Sequence, residues 1–212
     1  MTIIVNGSNT PTAGAVGYGD GTNLAFTSAG TTGQFLQSNG SSAPSWVGAP
    51  ASAMTLISTQ SLSGTTQVVW NSLSAYTKFL LVVVDANGAS LVQTAVQIGY
   101  GATPTYITSG YTQSRIYNNS GGVAGSQTTS LSTMQIGLCY APSSSLSQVL
   151  ITSGTSGVNS EASFIVNGTS AIFQSLYYCC YPTATTITSI KMLEINGGTF
   201  SSGTASLYGI TS

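Results

Sequence analysis

The chain has 212 residues, of which 42% are hydrophobic and only 3% are charged, with a formal net charge of −1 and no histidine. About a quarter of the residues in a soluble domain are normally charged, so Ser, Thr, Asn, Gln and backbone groups must supply this protein's polar surface. Three scattered cations (Lys78, Arg115 and Lys191) cannot form a basic patch on one chain, which argues against nucleic acid or an anionic membrane surface as a partner.

The hydrophobic content also sets expectations about assembly and location. A monomer covered only by uncharged polar residues would expose apolar area, so we expect a homo-oligomer. The longest apolar run, Phe79 to Val84, has the length of a strand, and no insertion into a membrane is expected. The N-terminus lacks the basic region and long apolar run of a signal peptide, so synthesis and folding should finish in the cytoplasm.

Residues 1–50 differ in composition from the rest of the chain. Gly7 to Asn23 is Gly-rich and weakly patterned, and Val47 to Ala53 has the composition of a hinge. Gly30 to Val47 is too apolar for a linker and too Gly-rich for a core. We therefore predict a boundary near residue 50, with a Gly-rich N-terminal segment at 1–50 and a strand-rich domain at 51–212.

Residues 51–212 show the period-two alternation of strands and no convincing helical pattern. Within Val92 to Ile98, for example, the valines at 92 and 96 and the final isoleucine share one face. Phe79 to Val84 is apolar on both faces, which predicts a central strand. The predicted strands are Met54–Gln60, Gln67–Trp70, Phe79–Asp85, Val92–Ile98, Gln113–Tyr117, Thr133–Tyr140, Gln148–Thr152, Ala162–Val166, Ala171–Cys180, Ile187–Ile195 and Thr204–Ile210. Many short strands separated by turns predict an all-β protein whose main domain is a β-sandwich or jelly roll.

The segment from Tyr100 to Asn119 holds four tyrosines and the only arginine of the chain. Tyrosine has a flat apolar face and a polar tip that suit stacking on sugars, and arginine can bind a carboxylate or phosphate of a polysaccharide. The predicted receptor-binding residues are Tyr100, Tyr106, Tyr111, Arg115 and Tyr117. The alternative is that these tyrosines pack in the sandwich or in a subunit interface.

The three cysteines do not predict a disulfide framework. Cys179 and Cys180 are adjacent in a predicted strand, so their side chains should point to opposite faces. We expect reduced thiols that pack as small hydrophobic residues, with one bridge from Cys139 left open as an alternative. Because the chain has no histidine and no Cys-x-x-Cys pair, we expect no metal site and no cofactor.

Groups suited to catalysis are few. Hydrolysis of a glycan normally uses two carboxylates that flank one bond, and only Asp20, Asp85, Glu161 and Glu194 are available. No histidine can activate a serine nucleophile, so we expect no enzymatic activity. Lys191 and Glu194 are three residues apart in a predicted strand, and they should therefore face opposite sides of it.

Sequences near the two ends of the chain resemble those of one class of proteins. Tyr18 to Thr22 (YGDGT), followed by GTTGQFLQSNGSSAPSW, resembles a module of bacteriophage tail-fibre and related virion proteins. Ile187 to Ile210 resembles the closing strands of such fibres. The resemblance, which covers roughly a third of the chain, implies a trimeric phage structural protein located in the virion. The resemblance does not separate a receptor-binding fibre from a head decoration. We expect a tail fibre or spike that binds saccharide on the bacterial surface, with a capsid decoration or fibre adaptor as the alternative.

In such a trimer, three copies of the Gly-rich segment would run side by side. Small residues let the backbones approach, and Phe35, Leu36 and Trp46 would fill a shared axial core that no single copy can bury. We therefore predict that the segment is a trimer neck and that it also attaches the protein to other virion proteins. The alternative is a hairpin, turning near Asn39 and Gly40, that packs against its own domain.

Overall fold

The computed structural model describes residues 12–49, 53–119, 122–139, 144–167 and 172–211. All regular secondary structure in these residues is β-strand, which confirms the predicted all-β class. The same residues include no helix that is long and apolar enough to cross a membrane. The chain divides into two compact units, Met1–Ala51 and Ser52–Ser212.

The first unit contains two β-hairpins. Its strands are β1 (Gly17–Gly19), β2 (Leu24–Phe26), β3 (Gln34–Asn39) and β4 (Ser42–Gly48). β1 pairs with β2, and β3 pairs with β4, both in antiparallel orientation. Asn39 lies opposite Ser42, so the second hairpin turns at Gly40 and Ser41, one residue beyond the predicted turn. Gly40 has a φ of 70°, a conformation that favours glycine.

The second unit contains two antiparallel sheets. Its strands are β5 (Met54–Ser61), β6 (Gln67–Asn71), β7 (Lys78–Gly88), β8 (Val92–Tyr100), β9 (Thr105–Tyr106), β10 (Tyr111–Asn119), β11 (Gly122–Leu131), β12 (Met134–Cys139), β13 (Ser144–Gly154), β14 (Gly157–Asn167), β15 (Ile172–Tyr181), β16 (Ser189–Glu194) and β17 (Phe200–Ile210). Eight strands form a sheet in the order β11-β10-β15-β14-β13-β7-β17-β5. The other sheet has the order β12-β8-β16-β6, and β9 joins it as a fifth strand beside β8.

Early and late strands of the second unit pair with each other in reverse order. β5 pairs with β17, β6 with β16, β7 with β13, and β8 with β12. From β5 to β8 the chain changes sheet at every step. The inserted strands β10, β11, β14 and β15 extend the eight-stranded sheet beyond β13. The two packed antiparallel sheets are consistent with the predicted β-sandwich.

The hydrophobic core lies in the second unit and takes side chains from both sheets. Phe79 and Leu81 of β7 and Ile98 of β8 are completely buried. Burial of one such side chain contributes about 1.5–3 kcal/mol. Every buried apolar residue in the described part of the chain lies between Leu62 and Leu207. The second unit therefore has a hydrophobic core of its own.

β7 lies in the interior of the eight-stranded sheet, between β13 and β17, as its apolar sequence predicts. Only one of its two faces belongs to the core, because the five-stranded sheet packs on that side. On its other face, Leu80 and Val82 are half-buried and Val84 is 40% exposed. The prediction of a central strand is thus confirmed for its place in the sheet, while half of its apolar side chains lie outside the core.

Cys179 and Cys180 have opposite environments, as their adjacent positions in a strand predict. Cys179 is buried, Cys180 is exposed, and both are free thiols. Burial raises the pKa of the Cys179 thiol to about 12, so this thiol stays protonated at neutral pH. The side chain of Cys139 is outside the described residues.

Glu194 is a buried carboxylate at the end of β16. Its Oε1 accepts hydrogen bonds from the backbone N–H groups of Gln93 (3.1 Å) and Asn196 (2.8 Å), and its Oε2 accepts one from Gly198 (2.7 Å). Lys191 interacts elsewhere, because its Nζ lies 4.0 Å from the centroid of the Tyr106 ring. The carboxylate therefore connects β16 to β8 and closes the turn that follows.

Replacing Glu194 by glutamine is expected to lower the free energy of unfolding by about 2–3 kcal/mol, because an NH2 group would replace one of the accepting oxygens. Chemical denaturation of the full chain measures this change. Glu161→Gln is the matched control, since Glu161 is exposed, and it should change stability by about 0.5 kcal/mol or less. Equal effects of the two substitutions would contradict the anchoring role of Glu194.

Candidate functional site

Arg115 and Tyr117 of β10 form a small cluster with Tyr177 of β15. The first two are two residues apart in one strand and so share a face of the sheet, and Arg115 stands opposite Tyr177 in the strand register. The guanidinium carbon of Arg115 lies 4.1 Å from the centroid of the Tyr117 ring and 5.3 Å from that of Tyr177. Both distances are within the range of a cation–π contact. We call these three residues the arginine–tyrosine cluster.

The cluster lies on the inner face of the eight-stranded sheet, where burial decreases along β10. Tyr111 has no exposed surface and Gln113 is 4% exposed, whereas Arg115 and Tyr117 are only half-buried. Gln113 Oε1 accepts a hydrogen bond from the Gln135 N–H of β12 (2.9 Å), so the five-stranded sheet reaches this position. The arginine is therefore closer to solvent than the preceding residues on its face.

Arg115 has no counter-ion on its own face of the sheet among the residues that the structure describes. Asp85 accepts a hydrogen bond from the Ser145 N–H (2.9 Å), and Glu194 accepts the three described above. Glu161 lies on the opposite face, as the register of β14 and β15 requires. These carboxylates therefore leave the positive charge of the cluster unpaired.

Arg115 Nε is buried without a hydrogen-bond partner in the described structure, whereas the Tyr177 hydroxyl interacts with the Ser175 side chain. Burial raises the pKa of the Tyr177 hydroxyl, and the Arg115 charge opposes this shift only in part, so the phenol is a neutral donor at pH 7. A buried donor without an acceptor costs about 1–3 kcal/mol. Tyr177 itself is only 1% exposed and is too deeply buried to reach a ligand. A bound carboxylate or phosphate would accept hydrogen bonds from the half-buried Arg115, and the Tyr117 ring offers a flat surface beside it.

The other three predicted receptor-binding tyrosines lie elsewhere. Tyr100 is 42% exposed at the end of β8. The Tyr106 hydroxyl forms a 2.8 Å hydrogen bond with Ser189 Oγ, and Lys191 lies over its ring. Tyr111 is in the core, where its hydroxyl oxygen accepts a hydrogen bond from the Ile98 N–H (3.0 Å). Of the five predicted residues, only Arg115 and Tyr117 are therefore brought together.

Trp46, one of the three predicted neck residues, is packed within the first unit. It lies opposite Leu36 in the hairpin, and its Nε1 donates hydrogen bonds to the Ser28 carbonyl oxygen (2.8 Å) and to Thr27 Oγ1 (3.2 Å). Its ring covers Gly30 so closely that a Cβ atom there would come within 2.7 Å of it. This contact explains why a glycine is needed at that position.

Phe35 and Leu36, the other two predicted neck residues, remain at the surface of the first unit. Phe35 is 45% exposed and Leu36 is 38% exposed. No residue of the described segment 12–49 is buried. Two-stranded hairpins without a buried core are marginally stable in water. The unit thus has exposed apolar side chains and no buried core among its described residues.

Comparison with protein-family models, with curated proteins and with solved structures gave no match in any of the three. Function is therefore inferred from the residues and their geometry.

Proposed function

We propose that the protein is a structural component of a bacteriophage particle, a homotrimeric tail fibre or spike that binds saccharide on the bacterial surface. The sequence resemblance at the two ends of the chain supports the virion location, after assembly in the host cytoplasm. The observation that carries the binding role is the arginine–tyrosine cluster. It places an unpaired cation within cation–π distance of two aromatic rings, in a chain with only three cations. The proposed role is binding, without catalysis and without a cofactor.

The sandwich of the second unit is, in this proposal, a jelly roll. A jelly roll forms when a long antiparallel hairpin is rolled up, so that early strands pair with late strands in reverse order. The pairs β5–β17, β6–β16, β7–β13 and β8–β12 support this topology. Viral capsid and lectin domains use the same architecture, so it suits both an adhesive and a purely structural virion protein.

The first unit is the proposed trimer neck and the point of attachment to other virion proteins. The proposal is supported by a segment that has no buried residue although it carries the exposed Phe35 and Leu36 and the half-buried Trp46. Three copies would bury these side chains against one another, and each buried large apolar side chain contributes about 1.5–3 kcal/mol.

The proposed ligand is an acidic saccharide. Its carboxylate would accept hydrogen bonds from Arg115 and its sugar ring would lie against Tyr117. The exposed Tyr100 is a further contact in this proposal. Tyr111 is left out because a completely buried side chain cannot reach a ligand.

Fluorescently labelled full-length protein should bind to the bacteria that the particle infects, and excess acidic polysaccharide from those cells should compete for it. The matched control is the same polysaccharide after chemical reduction of its carboxyl groups, which should compete at least about tenfold less well, because the charge-assisted hydrogen bonds to Arg115 are lost. Equal competition by the two preparations would contradict an acidic ligand, and no binding to the cells would contradict the adhesive role.

A non-adhesive virion component, such as a capsid decoration or a fibre adaptor, is the second candidate. The internal contacts of Tyr106 and Tyr111 favour it, because two of the five predicted receptor-binding residues have structural partners. In that case the labelled protein would not bind to host cells.

A further inference from the structure

The eight-stranded sheet has one apolar face that the five-stranded sheet does not cover. We call it the outer face and define it by six side chains that are 39–52% exposed: Leu56, Val84, Ile116, Leu146, Leu150 and Ile165. In the strand register, Leu56 is joined to Leu150 through the half-buried Tyr208 and Leu80, which makes a row across β5, β17, β7 and β13. A second row joins Val84, Leu146 and Ile165. Five of the six residues are therefore linked in two rows, and Ile116 stands opposite the half-buried Leu176 on the same face.

A sheet face that remains in water normally carries polar side chains at these alternate positions. The six residues together expose roughly 500 Å², the size of the largest apolar patch on a typical monomer, and such patches are often functional. The patch can therefore supply the apolar centre of an interface, while the polar side chains around it would supply the rim of an interface of roughly 800 Å² per partner.

The charges on the outer face indicate which partner fits it. Among the described residues it carries one cation, Lys78 of β7, and one anion, Glu161 of β14, both exposed. They stand two strands apart, a distance of about 10 Å across the sheet. A nucleic acid or a strongly charged protein would need several charges of one sign. A face with one charge of each sign is instead complementary to the same face of other copies, because Lys78 of each copy can lie next to Glu161 of the next copy in a trimer.

We infer that copies of this chain associate through the outer face of the eight-stranded sheet, with apolar side chains at the centre of the contact and Lys78 and Glu161 balancing its charge. The inference rests on the self-association that is part of the proposed function, and it adds the surface that carries it. Two contacts then hold the copies together: the first unit and the outer face.

Sedimentation velocity of the full chain over a range of concentrations tests the inference. Leu150→Glu places a charge at the centre of the outer face, and it should raise the concentration at which the oligomer dissociates by about tenfold or more. Gln67→Glu adds the same charge at an exposed position of β6 in the other sheet and should leave the oligomer unchanged. If the wild type is an oligomer and Leu150→Glu forms the same oligomer equally well, the outer face is not the interface, and the proposed function is unaffected. A monomeric wild type would overturn the self-association itself.

Charge reversal provides a second measurement that does not place a charge in the apolar centre. Lys78→Glu or Glu161→Lys alone gives the outer face two charges of one sign, so each should weaken association. The double variant K78E/E161K restores one charge of each sign and should recover the wild-type oligomer. Weakening by the single variants without recovery in the double variant would contradict a second copy as the occupant.

Discussion

Arg115→Ala is expected to reduce binding of the protein to acidic host polysaccharide by about 10- to 100-fold. The variant loses the charge-assisted hydrogen bonds to a ligand carboxylate, each worth about 1.5–3 kcal/mol, and a factor of ten in affinity corresponds to about 1.4 kcal/mol. Titration calorimetry with the purified polysaccharide measures the loss. The fold should remain intact, because Arg115 is half-buried and outside the hydrophobic core.

Two further variants separate the geometry of Arg115 from its charge. Arg115→Lys keeps the positive charge but loses the planar donors that suit a carboxylate, so its affinity should fall between those of the wild type and Arg115→Ala. Lys191→Met removes a positive charge from the five-stranded sheet and should leave binding unchanged. Wild-type affinity in Arg115→Ala would remove the arginine–tyrosine cluster from the proposed binding site.

A chain shortened to residues 53–212 is expected to fold cooperatively but to associate at least about tenfold more weakly than the full chain. It should fold because every buried apolar residue of the described structure lies between Leu62 and Leu207. It should associate less well because the Phe35, Leu36 and Trp46 side chains of the neck are lost, at about 1.5–3 kcal/mol for each one buried. Thermal unfolding and sedimentation equilibrium measure the two properties.

The double variant Phe35→Ser, Leu36→Ser in the full chain is the companion to this truncation. These two exposed side chains make no contribution to a core within one chain, so their replacement should weaken association without unfolding the second unit. An unchanged oligomer in both the shortened chain and the double variant would contradict the neck.

Strands with clear alternation could be predicted from the sequence, and strands without it could not. β7, β8 and β13 were recognisable from their apolar residues at every second position or their apolar runs. β11 (Gly122–Leu131) was missed because it consists largely of Gly, Ser, Thr and Gln, and most of its described side chains are exposed. A strand that pairs at the edge of a sheet buries few side chains, so it leaves little periodic signal.

The arginine–tyrosine cluster could be predicted in part. Arg115 and Tyr117 share a face because they are two residues apart in a strand, which the sequence shows. Tyr177 is far away along the chain and joins them only through the register of β10 and β15, which depends on the whole sheet. Tyr111 lies on the same face but is more deeply buried than Arg115 and Tyr117. This difference depends on how far the five-stranded sheet extends over β10, which the alternation of apolar and polar residues does not indicate.

The outer face shows a similar limit of sequence reasoning. Apolar residues on both sides of Phe79 to Val84 predicted a central strand. Within the second unit, the five-stranded sheet covers one face of this strand. The alternation of the sequence does not indicate what covers the other face.

The proposal that this chain is a phage tail fibre or spike is tested most directly by gold-labelled antibody against the protein, viewed on intact particles by negative-stain electron microscopy. We expect label at the tail end of the particle, where host attachment takes place. Label over the head would contradict the adhesive role and identify a capsid decoration, and particles without label would contradict the virion location itself.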